Sequence, residues 1–237
     1  MRPRYRYWFD LWTDHPAQAL TLAATPGVER VCELGGGANP LIPLELIERR
    51  GLDHEVADVS DAELAKAPAG YRTVVLDAMS DALAARGPYD LVVSAFLAEH
   101  VADARALHRS VYAALRPGGT ALHTFPTLYE PAFMVNRVMP ERVMEPLLRR
   151  FQPGREPEGE HAKFRAHYHW CRGPTRRQLR RLKSIGFQVV DYVGYFGHGY
   201  FGPLKPLDRV EQALSHALVR RPLPALTSYA TVTLRRP

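Results

Sequence analysis

The segment Val31-Cys32-Glu33-Leu34-Gly35-Gly36-Gly37-Ala38-Asn39-Pro40 constrains this chain more than any other stretch. A short apolar run ends in an acid, three glycines follow, and residues that favour a helix start come next. Glycine has no Cβ, so it adopts positive φ and lets the backbone approach a ligand closely. Asn39 is expected to cap the helix, with Pro40 at its first position. Leu41, Leu44 and Ile47 then share one face, and Gly51 ends the helix. Strand, glycine loop and helix in this order build the nucleotide cradle of a parallel α/β sheet.

The remainder of the chain continues the alternation. Strand signals cover residues 30–34, 54–58, 73–77, 90–96 and 120–125, and later 187–195 and 228–234. Between the fourth and fifth, Ala104, Leu107, Val111, Ala114 and Leu115 recur at helical spacing until Arg116-Pro117-Gly118-Gly119 turns the chain. Thr175-Arg176-Arg177-Gln178 reads as a capping box before a helix that Gly186 closes. Residues 207–220 form an amphipathic helix whose buried side is expected to be Val210, Ala213, Leu214, Ala217 and Leu218. Such alternation predicts a doubly wound, mostly parallel sheet.

The 237 residues suit one domain spanning 1–237, with an N-terminal extension or helix at 1–28. Six prolines punctuate an irregular stretch at 126–170, rich in Met and Phe, which is expected to be a substrate-binding insertion or lid. Two cysteines, Cys32 and Cys171, make no disulfide framework. No 18-residue apolar run or signal core is present, so the chain reads as cytoplasmic with no transmembrane segment. The net charge of +6 lies largely in arginine runs, including Arg176-Arg177 and Arg220-Arg221. A solvated helix face accounts for these better than a nucleic-acid or acidic-membrane patch.

The glycine loop gains meaning from its companions. Asp58 ends the second strand, where a carboxylate accepts hydrogen bonds from ribose hydroxyls. Asp77 ends the third, with Ala78 and Met79 positioned for an adenine edge. At these residues the sequence resembles the class I S-adenosylmethionine-dependent methyltransferases that modify small molecules. Four signatures match in order between Val31 and Phe125: Glu33-Leu34-Gly35-Gly36-Gly37, Ala57-Asp58-Val59-Ser60, Asp77-Ala78, and Asp90-Leu91-Val92-Val93-Ser94 through Glu99-His100-Val101, the last followed by Leu115-Arg116-Pro117-Gly118-Gly119.

The resemblance implies a Rossmann-like, mostly parallel seven-stranded sheet with an antiparallel C-terminal strand and a helical or irregular insertion after strand five. It implies S-adenosylmethionine as cofactor, with S-adenosylhomocysteine as product. Gly35, Gly36 and Gly37 would line its methionine part, and Glu33 would hold the amino group or orient the loop. Asp58, beside Val59, would bind the ribose. Asp77, Ala78 and Met79 would face the adenine, and Ser94 and Phe96 would lie under the sulfonium. A dinucleotide site is disfavoured, because its third glycine would fall at Pro40.

If the acceptor is a hydroxyl, a general base assists. His100 is the first candidate and His123 the second. Glu99-His100 also resembles the metal-assisted quinone O-methyltransferases, but the acid those carry three positions earlier is Phe96 here, so no metal is expected. His167, His169 and Cys171 would share one face of an extended strand, and zinc is conceivable with His161, although a structural strand edge beside the acceptor is favoured. Tyr129, His167 and Tyr168 are the substrate-binding candidates.

Near the C-terminus Tyr192, Tyr195, Phe196, His198, Tyr200 and Phe201 alternate with glycines. They suit an apolar acceptor, a membrane contact or a homodimer. The leading reading is methyl transfer to a small molecule, foremost O-methylation of a partly apolar metabolite. An RNA methyltransferase is the first alternative, although Ser94-Ala95-Phe96-Leu97 lacks the Asn/Asp-Pro-Pro-aromatic run of base-amine enzymes, and nucleic acid is disfavoured as a partner. The second alternative is a protein of this fold that acts as a cyclase or partner.

Overall fold

The computed structural model describes residues 1–128 and 166–237. Among these described residues eight strands form one sheet: β1 (Arg4–Tyr7), β2 (Arg30–Leu34), β3 (Asp53–Asp58), β4 (Thr73–Val75), β5 (Tyr89–Ala95), β6 (Leu115–Pro126), β7 (Gln188–Phe196) and β8 (Tyr229–Arg235). Their order is β1-β7-β8-β6-β5-β2-β3-β4, and β8 runs antiparallel to both neighbours while all other pairs are parallel. Described helices are α1 (Leu11–Ala23), α2 (Leu44–Arg50), α3 (Asp61–Leu64), α4 (Asp81–Arg86), α5 (Ala104–Ala114), α6 (Arg176–Ile185) and α7 (Lys205–Arg220).

The chain leaves β2 towards β3 and β4, then returns to place β5 on the other side of β2. That reversal is the switch point at which open α/β sheets bind ligands. Alternate residues of each strand enter opposite layers, as the pleat requires. Cys32 and Val92 pack with Leu83, Leu107, Val111 and Leu182 from α4, α5 and α6. Val31, Leu91 and Val93 pack with Ala19, Ala23 and Leu46 from α1 and α2.

The fold class and the seven expected strands are present, and an eighth joins them. β1 pairs with β7 in register Arg4↔Val193 to Tyr7↔Phe196. Tyr5 stacks on Phe196, with centroids 5.8 Å apart, while Arg4 pairs with Asp191 and Arg6 with Asp10 and Asp14. Four residues alternating Arg and Tyr carry too little apolar signal to announce a strand. The second difference is the start of α2, which begins at Leu44 behind Pro43 rather than at Pro40. The Glu33 carboxylate accepts the amide hydrogens of Leu41 and of Ile42, the latter at 3.3 Å, and so holds residues 38–43 as a loop.

The third difference is α7. Its expected buried residues Val210 and Leu214 are exposed, and Ser215 is the buried one. Glu211 and Ser215 face the body because Glu211 accepts the His198 amide hydrogen at 3.0 Å. Residues 166–171 also depart from expectation. Tyr168 and Trp170 adopt positive φ of 54° and 60°, so His167, His169 and Cys171 do not share a strand face. Among the described residues no cluster of three or more His, Cys, Asp or Glu side chains is arranged for a metal ion.

Candidate active site

The carboxyl ends of β2, β3, β4 and β5 bring the candidate cofactor residues together. Gly35 and Gly37 take positive φ of 70° and 32°. The Gly35 amide donates to the Ala57 carbonyl at 2.7 Å, which ties the loop to the end of β3. A Cβ at Gly37 would lie 3.3 Å from Asp58 Oδ2, so glycine keeps the loop and the carboxylate close. Glu33 is buried beneath this loop, and its carboxylate also meets His54 Nε2 at 3.3 Å. Its contacts are with the loop's own amides, which makes it the group that shapes the loop.

Asp58 is half-buried. Its Oδ1 accepts the Ser60 amide hydrogen at 2.9 Å. Burial raises its pKa and outweighs the lowering by the Ser60 and Val59 amides. The Val59 side chain points to solvent. Asp77 is exposed, accepts the Met79 amide hydrogen at 2.8 Å, and stands beside the half-buried Ala78 and Met79. Asp58 and Asp77 are neighbours through the Leu76 amide, which donates to the Asp58 carbonyl at 2.8 Å.

Ser94 is buried on β5 and hydrogen-bonds His123 Nδ1 at 2.8 Å. His123 has no exposed surface, and burial holds its pKa well below the usual imidazole value. The ring packs edge-on against His108 at 5.4 Å, so it belongs to the core and offers an acceptor no face. That placement corrects the expectation of a catalytic His123: the strand turns its side chain into the layer between sheet and α5. His100 is partly exposed, and its Nε2 lies 3.8 Å from Glu99 Oε1. Glu99 is wholly buried, which pushes its pKa up to about 8. Its carbonyl accepts the amide hydrogens of His167 and Tyr168 at 2.6 and 3.0 Å, drawing those two residues to the loop after β5. Tyr129, like His161, lies outside the described residues.

Phe96 follows β5 with a φ of 55°, an uncommon value for a non-glycine residue. Its ring stacks on Trp12 at 5.5 Å and meets Tyr229 edge-on at 6.3 Å. Sequence reasoning did not place Trp12 here. The missed signal is the spacing of Trp8 and Trp12, one helical turn apart at the end of an edge strand. Leu97 was also missed, and it packs directly over Gly35.

A doubly wound sheet with one antiparallel strand, β8, inserted between β6 and β7, and acids near the ends of β2, β3 and β4 around a glycine loop, is the architecture of the class I S-adenosylmethionine-dependent methyltransferases. The model of a methyltransferase-domain family matches residues 5–192. The chain belongs to that family of methyltransferases. It is 30% identical over 142 residues to a ubiquinone biosynthesis O-methyltransferase of Methylobacterium sp. (strain 4-46), a match covering 60% of this chain and 49% of the relative, about half of that protein's length. Geranyl diphosphate C-methyltransferase from Streptomyces coelicolor A3(2) superposes with a TM-score of 0.58 at 13% identity, covering 97% of this chain and 80% of that one. The [4+2]-cyclase SpnF superposes with a TM-score of 0.54 at 15% identity, covering 98% and 83%.

The methyl donor implied for such a domain is S-adenosylmethionine. The residues present suit that group. Asp58 offers a half-buried acceptor at a strand end, and the positive-φ glycines keep the backbone bare beside it.

Proposed function

We propose that the enzyme methylates a hydroxyl of a small, partly apolar molecule. The observation that carries this reading is the partly exposed His100 beside buried Glu99, at the carboxyl end of the strand that passes under the cofactor residues. The stretch shared with the quinone-pathway O-methyltransferase supports oxygen as the acceptor atom. When bound, the cofactor supplies an electrophilic methyl group, so the protein's task is alignment and water exclusion.

In this reading Asp58 accepts the ribose hydroxyls, while Gly35, Gly36 and Gly37 line the methionine part over a loop held by Glu33. Asp77, Ala78 and Met79 border the adenine. Phe96, with Ser94 beneath it, walls the methyl-transfer position. His100 takes the acceptor's proton on its imidazole, and the Glu99 carboxyl, 3.8 Å from Nε2, helps to orient the ring. His167 and Tyr168, tethered to Glu99, border the acceptor. Selection of the acceptor is assigned to the stretch 126–170, of which 129–165 lie outside the described residues, within a single domain spanning 1–237.

Titration calorimetry with S-adenosylhomocysteine tests the cofactor part. Asp58→Ala should weaken binding roughly 100-fold through loss of a charged hydrogen-bond acceptor. Unchanged affinity removes the ribose assignment. For the base, His100→Ala should lower kcat with little effect on cofactor binding and abolish the acidic limb of the pH–rate profile. A profile that keeps this limb removes His100 from the chemistry. A second reading, a cyclase of the same fold, draws on the similarity to SpnF. It is favoured if cofactor binds and no methyl group leaves it in the presence of any hydroxylated acceptor.

A further inference from the structure

Helix α7 is mounted the wrong way round for a soluble amphipathic helix. Such a helix turns its apolar stripe inward. Here Leu207, Val210 and Leu214, at spacings of three and four, are 42%, 64% and 55% exposed. The inward face carries Glu211 and buried Ser215. Gly197 fixes this orientation: a Cβ there would fall 2.7 Å from Glu211 Oε1 and 3.0 Å from Ser215 Oγ.

The helix also lies at a particular end of the sheet. Gly197 follows the last residue of β7, and His216 meets Tyr7, the last residue of β1, at 4.6 Å. Both strands point their carboxyl ends here, the end that carries the candidate active site. Exposed Phe9 stacks on Tyr7, and exposed Leu204, Leu223 and Leu226 flank the helix in sequence. On α7 and at its C-terminal end, Lys205, Arg209, Arg220 and Arg221 are exposed. Of the two carboxylates of α7, Glu211 is turned inward, which leaves Asp208 alone against these four cations.

We propose that this face docks on an anionic lipid bilayer, with Leu207, Val210 and Leu214 entering the acyl boundary and the four cations meeting acidic headgroups. Apolar side chains on a helix bordered by Lys and Arg are the chemistry of an interfacial helix. Charge decides against a second copy of this chain as the occupant. A twofold joint brings the same four cations together from both sides, with Asp208 as the one α7 carboxylate not turned inward. The inference is independent of which acceptor is methylated. It turns the candidate active-site end of the sheet towards the membrane, where an apolar acceptor dissolved in lipid can be reached.

The test is co-sedimentation of the full chain with vesicles of phosphatidylcholine alone and with roughly 30 mol% phosphatidylglycerol. Binding should be at least roughly tenfold stronger to the anionic vesicles and should weaken as salt is raised. The triple variant Leu207→Gln, Val210→Gln, Leu214→Gln and the charge variant Arg209→Glu, Arg220→Glu should each lose it. Both alter exposed positions only, and unchanged thermal unfolding and S-adenosylhomocysteine affinity verify that the fold stands. Equal or no binding to the two vesicles overturns the proposal. So does a dimer in light scattering that the triple variant dissociates, which assigns the face to a second copy.

Discussion

The two sides of the sheet are held by opposite chemistry. On the β2–β3–β4 side the polar interior is carboxylate. Glu33 pins the glycine loop, and Glu55, with no exposed surface, is gripped by Arg86 at 2.6 and 3.0 Å, by Arg72 at 3.3 Å and by the Tyr89 hydroxyl. Burial alone would raise the Glu55 pKa; these partners outweigh it and hold the group below the usual value. On the β6–β8–β7 side the polar interior is neutral. Thr124 Oγ1 bonds both His15 Nδ1 and Thr231 Oγ1 at 2.8 Å, Gln18 reaches Thr233 at 2.7 Å, and His123 pairs with Ser94. The first arrangement fixes charges at set points within that half of the sheet. The second seats α1 and the edge strands by shape and neutral hydrogen bonds, and it tolerates no added proton.

The largest expected effect exploits that contrast. Burial lowers the pKa of His15 and of His108 to about 4, and holds that of His123 well below its ordinary value. Below their ordinary value near 6.5 the unfolded chain takes up protons that the native state refuses. Their contribution is therefore intact above that value and is lost as pH falls towards 4, on the order of 3 kcal/mol for each of His15 and His108. Hydrogen exchange on lowering pH should open α1, β6 and α5 before β3 and β4, and His108→Leu should delay the loss. Simultaneous opening of both sides would erase the distinction. Glu99 works in the opposite sense: its raised pKa subtracts stability as pH climbs from the ordinary carboxyl value towards 8.

The carboxylate side is broken by Arg86→Met, which leaves Glu55 buried with weaker partners. Chemical denaturation should register about 3 kcal/mol of lost stability, diminishing as the pH is lowered enough to protonate Glu55. A loss that ignores pH would mean that packing, not charge, is at stake. The smallest effect belongs to the aromatic edge. Gly197 holds a φ of 93°, and an added Cβ would fall 2.6 Å from Trp8 Cδ1. Gly197→Ala should cost about 2 kcal/mol and detach α7 with β1, leaving S-adenosylhomocysteine affinity unchanged. An equal loss of cofactor affinity would show that the two sides are coupled.

The same division separates what was legible in the sequence from what was not. Strands β2 to β6 were found within a few residues because each is an apolar run ended by a charged or glycine-rich turn. Glu33, the glycines, Asp58 and Asp77 could be placed because each sits at a strand end, where its position follows from the strand's limits. The loop after Gly37 misled, since Asn39-Pro40 is a sound helix start locally, whereas the buried Glu33 carboxylate draws in the amides of Leu41 and Ile42 and the helix begins only behind Pro43. His123 misled for a similar reason: a strand residue's face is set by its neighbours on both sides, and here the face is the core.

Sequence alone determined the order of strands and helices, the switch point, and the acids that surround it. These depend on period-two and helical patterning and on glycine's freedom, all of which act between near neighbours. Tertiary structure decided which way side chains at those positions face. It added β1 to the sheet through Tyr5 and Phe196, seated His100 beside Glu99, and turned the apolar side of α7 outward because Gly197 admits Glu211 and Ser215. Each of these outcomes is a competition between distant groups for one space, and no local pattern records who wins it.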